Sequence, residues 1–215
     1  MQTSSFCVYA VGFLAQIFFS SRILYQWFAS EKAGKVLSPP AFWVFSILGS
    51  FLLFIYGVLR NDFAIILGQF ISYYIYLWNL NMQGKWTEIA GVFKIVLILT
   101  PLVATALLLR NVTLFTDTFF NNKNVPIWLL IFGSAGQIIF ALRFIYQFFY
   151  SAVHHESVLP TGFWILSLLG SLLIISYAIF REDPVLILGQ SFGFAAYIRN
   201  LMISHKSRKL TAYEK

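Results

Sequence analysis

Charged side chains are scarce in this sequence of 215 residues, where they make up only 11%. Soluble domains carry about 25% charged residues, so a water-soluble enzyme of this length would lack the polar surface that it needs. Hydrophobic residues account for 59% of the chain, and the mean hydropathy is +0.77. This composition predicts a membrane protein with several spanning helices.

Reactive side chains are also few. The single cysteine, Cys7, excludes an internal disulfide and a multi-cysteine metal site. Eight carboxylates and three histidines leave little for acid–base chemistry, and the adjacent His154 and His155 have no third metal ligand nearby. We therefore expect no metal, no cofactor and no catalytic constellation, and we expect that the chain is not an enzyme. The net charge of +7 reflects membrane topology, so we expect no nucleic-acid partner.

Seven apolar stretches have the roughly 20 residues that a spanning helix needs. They run over Val8–Ala29, Ala41–Leu59, Phe63–Met82, Ile89–Leu109, Ile127–Tyr150, Phe163–Phe180 and Pro184–Ile203. Lysine and arginine are more frequent in the loops of one side, which predicts an N-terminus outside and a C-terminus in the cytoplasm. Four tryptophans fall near the cytoplasmic interface, where we expect them to anchor the helices: Trp27, Trp43, Trp86 and Trp164.

An internal repeat organises the chain. A shift of 121 residues places residues 12–85 on 133–206 without a gap, and about 28 of the 74 positions are identical. Each copy has three spans, and the unrepeated fourth span crosses back, so both copies begin on the same side. The sequence thus predicts seven transmembrane helices in a 3+1+3 arrangement of two parallel repeats. Its segments are 1–86 and 127–206 for the repeats, 87–126 for the linker helix and outer loop, and 207–215 for a basic tail.

Polar residues recur at equivalent positions inside the predicted spans, where they are costly and usually functional. Two arginines occur in them without a carboxylate at the same depth, which predicts a site for an anion because guanidinium groups suit phosphate. Neutral amides and hydroxyls nearby suit the hydroxyl groups of a sugar. The candidate binding residues are Arg22, Arg143, Gln26, Gln147, Tyr25, Tyr146, Gln69, Gln190, Tyr76, Tyr197, Asn79, Asn200 and Arg199. In the alternative interpretation, the arginines bond to backbone carbonyls or lipid headgroups and only hold helices together.

The repeated motifs resemble those of a known family. The string from Ser21 to Lys32, together with Phe42-Trp43, Gly49-Ser50 and Leu67-Gly68-Gln69, is similar to the bacterial lipid A biosynthesis N-terminal (LABN) domain. That domain is grouped with the PQ-loop and SWEET-like transporters, although the proline–glutamine dipeptide is absent from this chain.

The resemblance implies a role with envelope glycolipids in a bacterial inner membrane. Such domains are fused to lipid-A-disaccharide synthase in some bacteria, and they also occur beside polyprenyl-phosphate glycosyltransferases, so a lipid-linked sugar phosphate is the implied ligand. The synthase needs a soluble sugar-nucleotide-binding domain, which these residues do not form, and this favours the expectation that the chain is not an enzyme.

The first functional hypothesis is a transporter or flippase for an anionic lipid-linked sugar such as a polyprenyl-phosphate glycolipid. A second is a membrane anchor or scaffold for a glycolipid glycosyltransferase, in which case the cytoplasmic loop Glu31–Leu37 would matter more than the buried polar residues. A third is a carrier for small sugars. A homodimer is compatible with each of them.

Overall fold

The computed structural model describes residues 5–34, 36–120, 125–154 and 159–213, which form eight α-helices and one 3₁₀ turn at Lys85–Glu88. Seven of these helices are long and apolar enough to cross a membrane, which confirms an all-α protein with seven spans. Lys35 of the predicted cytoplasmic loop and His155 lie outside the described residues. The helices are α1 (Ser5–Ala33), α2 (Pro40–Leu59), α3 (Phe63–Met82), α4 (Gly91–Leu109), α5 (Val112–Phe119), α6 (Ile127–His154), α7 (Thr161–Phe180) and α8 (Pro184–Tyr213).

Both repeats turn between their second and third helix in the same way. Asn61 and Glu182 adopt a left-handed backbone with φ of 51° and 49°, which ends the second helix. The following aspartates, Asp62 and Asp183, each accept a hydrogen bond of 3.1 Å from the backbone N–H three residues later. Side-chain oxygens at this position cap the start of a helix, so the third helix begins at once and packs against the second.

The helices of the two repeats pack in a closed cycle in the order α1, α2, α3, α6, α7, α8, with α8 against α1. Two equivalent seams therefore join the copies, one between α3 and α6 and one between α1 and α8. In each seam a glutamine reaches a glycine of the other copy: a Cβ at Gly68 would collide with Gln137, and one at Gly189 with Gln16. This reciprocity supports two parallel copies, while the 3+1+3 plan stays a prediction.

The unrepeated helix α4 packs on the first copy through its internal proline. Pro101 has no N–H and leaves the carbonyl of Leu97 without its helical partner. The Tyr73 hydroxyl of α3 donates a hydrogen bond of 2.9 Å to that carbonyl. The equivalent residue of the second copy is Phe194, which has no hydroxyl group. The difference between the copies therefore favours packing of α4 on α3 over packing on α8.

Candidate functional site

The two repeated arginines lie inside the helix bundle. Arg22 of α1 and Arg143 of α6 are only 4% and 1% exposed. Arg22 Nη1 donates a hydrogen bond of 2.8 Å to Ser46 Oγ, and Arg143 Nη1 donates one of 3.3 Å to the Tyr197 hydroxyl. Among the described residues, no carboxylate forms an ion pair with either arginine, and neither Nε has a hydrogen-bond acceptor. Both charges are thus surrounded by neutral groups.

Aromatic rings surround the two guanidinium groups. Arg143 Cζ lies 3.2 Å from the ring centre of Phe140 and 4.5 Å from that of Phe144. Arg22 Cζ lies 4.6 Å from the ring centre of Phe19 and 5.9 Å from that of the same Phe144. Each such contact contributes about 0.5–2 kcal/mol. These contacts reduce the cost of burying the two cations, but they do not neutralise them.

Two small cavities border the arginines between the copies. Arg22 lines both of them, and Arg143 lines the smaller one. The larger, here called the arginine chamber, has a volume of about 30 Å³ and the smaller about 10 Å³. Such volumes hold one or two water molecules, so in this state the cavities are too small for a larger ligand. The polar residues of the arginine chamber come from both copies and include Gln16, Ser20, Arg22, Gln69, Gln190 and Tyr197.

The amides one turn beyond the arginines bond to other protein groups. Gln26 Nε2 donates a hydrogen bond of 3.1 Å to Asn200 Oδ1 of the other copy, and Gln147 Nε2 donates one of 3.0 Å to Ser151 Oγ. The Asn79 amide donates to the backbone carbonyl four residues earlier at 2.9 Å. Of these three bonds, only the one from Gln26 to Asn200 joins two helices, and the other two lie within α6 and α3.

The predicted glutamines and tyrosines of the third helices lie at the chamber. Gln69 is 7% exposed, and its Oε1 accepts no hydrogen bond from the described residues. Gln190 Oε1 accepts one from the Ser171 hydroxyl at 3.0 Å. Tyr76 and Tyr197 are buried and line the chamber. The structure thus places Arg22 beside these residues at the chamber, and Arg143 is joined to them through its bond to Tyr197.

Three predicted site residues lie elsewhere. Tyr25 and Tyr146 are 50% and 40% exposed. Arg199 Nη2 forms an ion pair of 2.9 Å with Glu31 of the other copy on the exposed surface, so it is not a third cation of the chamber. No group of three or more His, Cys, Asp or Glu residues in the described part of the chain is placed to hold a metal.

Sequence reasoning missed a second polar cluster, where the turns 60–62 and 181–183 meet. The Tyr56 hydroxyl donates to both carboxylate oxygens of Asp183 at 2.9 Å, and the Tyr177 hydroxyl donates to Asp62 Oδ2 at 2.7 Å. Arg181 Nε contributes a contact of 3.3 Å to Asp62. Burial raises the pKa of the Asp183 carboxyl, because desolvation disfavours the charged form. The signal was present, since tyrosine, arginine and aspartate all match under the 121-residue shift.

The expected interfacial role of two tryptophans is wrong. Trp43 and Trp164 are 0% and 2% exposed and belong to the core around Phe144. Their indole nitrogens have no hydrogen-bond acceptor among the described residues. In a bundle whose helices are apolar on all sides, sequence position alone does not separate an interfacial ring from a core ring.

The sequence of the chain matches a known family. The family described as the Lipid A Biosynthesis N-terminal domain matches residues 11–81 and 132–202, two segments related by the same shift of 121 residues. No solved structure matches the chain.

The similar curated proteins are bacterial enzymes. A lipid-A-disaccharide synthase of Chlamydia pneumoniae is 32% identical over 97% of this chain, and one of Chlamydia felis is 28% identical over 96%. The corresponding protein of Chlamydia caviae is 30% identical over 96%. This chain spans about a third of the length of these relatives, 35% for the first and 34% for the other two.

These relatives overturn the expectation that the chain is not an enzyme, because proteins that match nearly all of it carry the name of an enzyme. The expectation relied on the lack of a catalytic constellation within 215 residues. The named enzymes are far longer, so that lack does not decide the question. The two matched segments cover most of the helical repeats and link the protein to lipid A biosynthesis. The chain belongs to the Lipid A Biosynthesis N-terminal domain family.

Proposed function

We propose that the chain binds an anionic lipid-linked sugar within the membrane and takes part in the lipid-A-disaccharide synthase reaction. Arg22 and Arg143 hold the anionic group of this ligand. The observation that carries the proposal is the burial of both guanidinium groups without a carboxylate partner among the described residues. The family and the names of the relatives support the pathway, and the arginines support the charge of the ligand.

The physical argument starts from the cost of an unpaired buried cation, which is several kcal/mol. Aromatic faces and single hydroxyl partners offset only part of that cost. A phosphate group would supply the missing counter-charge and would accept forked hydrogen bonds from each guanidinium, including its Nε–H. Because both arginines line the smaller cavity, one phosphate placed there would contact both repeats.

The sugar would lie toward the arginine chamber. Gln69 Oε1 has no donor among the described residues, so a sugar hydroxyl is a suitable partner for it. The Tyr76 side chain is buried beside this cavity and adds a second polar contact. Since the chamber now holds only water-sized volumes, ligand binding requires the two copies to separate slightly.

The test measures binding by the purified chain in nanodiscs. Phosphatidic acid, a lipid with a phosphomonoester headgroup, serves as the probe, and phosphatidylcholine nanodiscs give the background. Arg22→Gln and Arg143→Gln should each lower the affinity about 10- to 100-fold, because a hydrogen bond to a charged group contributes about 1.5–3 kcal/mol. Arg199→Gln is the matched control, since this arginine is exposed and paired with Glu31, and it should bind like the native chain.

A cellular measurement completes the test. Cells that depend on this chain should make less lipid A disaccharide when both arginines are replaced, with expression and membrane insertion unchanged. Native binding and native lipid A levels in the double variant would show that the arginines do not hold the ligand.

A second candidate function, movement of the lipid between leaflets, is favoured by one further observation. The bundle end at the turns 60–62 and 181–183 is closed by reciprocal polar contacts between the copies, through Tyr56, Asp183, Tyr177 and Asp62. Such contacts can break and re-form as two repeats rock about a shared site. Proteoliposomes with a fluorescent phosphatidic acid would test it, because a quencher added outside reaches all of the lipid only if lipid moves between the leaflets. Quenching should be complete with the native chain and incomplete with Arg22→Gln. Incomplete quenching with the native chain would reject transport, and complete quenching with Arg22→Gln would reject a role of this arginine in it.

A further inference from the structure

The two seams between the repeats are equivalent in sequence but differ in exposure. Each seam places the third helix of one copy against the first helix of the other. Gln137 and Ala141 of α6 are 3% and 2% exposed in the α3–α6 seam. Their equivalents in the α1–α8 seam, Gln16 and Ser20, are partly exposed. The first helix of the second copy, α6, is therefore buried in the α3–α6 seam, whereas the first helix of the first copy, α1, is partly accessible in the α1–α8 seam.

The third helices show the same difference. Gln69 of α3 is 7% exposed, whereas its equivalent Gln190 of α8 is partly exposed. Phe192 of α8 is 40% exposed and lines the arginine chamber. The chamber therefore reaches the outer surface of the bundle between α1 and α8, within the length of both spanning helices.

The open seam is polar inside and apolar outside. Gln16, Ser20 and Gln190 line the chamber together with Arg22, while Phe13 and Ile17 on the outer face of α1 are exposed. Exposed apolar side chains on a spanning helix face hydrocarbon. The headgroup of a lipid that crosses this seam therefore meets a polar, cationic interior, while the hydrocarbon part of the same lipid stays among the lipid chains.

We infer that the α1–α8 seam is the lateral opening through which a lipid phosphate headgroup enters the arginine chamber from the bilayer. The inference rests on the proposed function, since it assigns the route by which the same ligand reaches Arg22 and Arg143. The acyl or isoprenyl tail remains in the membrane beside α1 and α8, so the small chamber need not hold it. The α3–α6 seam stays shut and acts as the hinge between the copies.

The experiment locks each seam with a disulfide in a Cys7→Ser background. Gln16→Cys with Gly189→Cys joins α1 to α8, at a position where the two residues are in contact. Gly68→Cys with Gln137→Cys joins α3 to α6 at the equivalent contact and is the matched control; the helices must part slightly there to admit the bond, so the reduced form of the same pair is its reference. Loss of free thiol verifies each bond. Uptake of fluorescent phosphatidic acid from vesicles is measured for oxidised and reduced protein, and glycerol 3-phosphate is the soluble probe.

The oxidised α1–α8 lock should slow lipid uptake at least tenfold, with recovery on reduction, and the α3–α6 lock should change it less than twofold. Equal uptake by both locked proteins, or a block by the α3–α6 lock alone, would overturn the assignment. Unlocked protein that binds glycerol 3-phosphate but not phosphatidic acid would also overturn it, because the ligand would then come from water. If Arg22→Gln with Arg143→Gln still binds the lipid, the proposed function itself fails, whatever the locks do.

Discussion

Tyr56 and Asp183 lie 127 positions apart in the chain, and the tyrosine hydroxyl donates to both carboxylate oxygens at 2.9 Å. The equivalent pair, Tyr177 and Asp62, forms the same contact in the opposite direction at 2.7 Å. Each aspartate also caps the third helix of its own copy. Each carboxylate therefore caps a helix of its own repeat and also binds the second helix of the other repeat. The two repeats make this contact reciprocally.

Removal of one hydroxyl from this cluster should destabilise the protein. Tyr56→Phe leaves the buried Asp183 carboxylate with fewer donors, and an unsatisfied buried group costs about 1–3 kcal/mol. We expect a lower midpoint of thermal unfolding in detergent for Tyr56→Phe and for Tyr177→Phe. Tyr25→Phe, at an exposed position, is the control. If the two buried variants unfold at the native midpoint, the exchanged contacts do not stabilise the bundle.

Replacement of Arg143, which lines the smaller cavity, should have the opposite effect on stability. Arg143→Met keeps an unbranched apolar stem, although a shorter one, and removes a buried charge that has no carboxylate partner among the described residues. Apolar replacement of buried charges is often neutral or stabilising by about 1–4 kcal/mol. The unfolding midpoint without added lipid should stay constant or rise, and its increase on addition of phosphatidic acid should disappear. A large fall in the midpoint without lipid would favour the interpretation in which the arginine only holds helices together.

Two hydroxyls of α3 bond to α4: Tyr73 donates to the Leu97 carbonyl at 2.9 Å, and Tyr74 donates to the Ile98 carbonyl at 3.0 Å. Tyr73→Phe removes the donor to the Leu97 carbonyl that Pro101 leaves unpaired, and we expect a loss of about 1–2 kcal/mol in local stability. Hydrogen exchange should become faster in residues 91–109 and remain unchanged in α7. Phe194→Leu at the equivalent position of the second copy is the control. Unchanged exchange in α4 would mean that the Tyr73 hydroxyl does not hold this helix in place.

The sequence was sufficient to predict the repeat, the seven spans and the equivalence of Arg22 with Arg143. It could not predict which helices meet across the copies, because spanning helices are apolar on most sides and their periodicity does not mark a buried face. That limit explains Arg199, whose partner Glu31 lies on another helix of the other copy. It also explains Trp43, whose burial depends on Phe144 of α6. Equivalent positions in the two copies reveal a shared role, but the contacts between the copies become known only from the packing of the helices.

The two seam glycines should differ in their tolerance of a methyl group. At Gly68 an added Cβ would lie 2.9 Å from the Cβ of Gln137, an atom close to the backbone that cannot move away in a sealed seam. At Gly189 its three nearest neighbours would all be atoms of the terminal amide of Gln16, which can swing outward because that side chain is partly exposed. Overpacking costs about 1–3 kcal/mol where no side chain can yield. Gly68→Ala should therefore lower the midpoint of thermal unfolding clearly more than Gly189→Ala, and equal losses would show that the α1–α8 seam is packed as tightly as its counterpart.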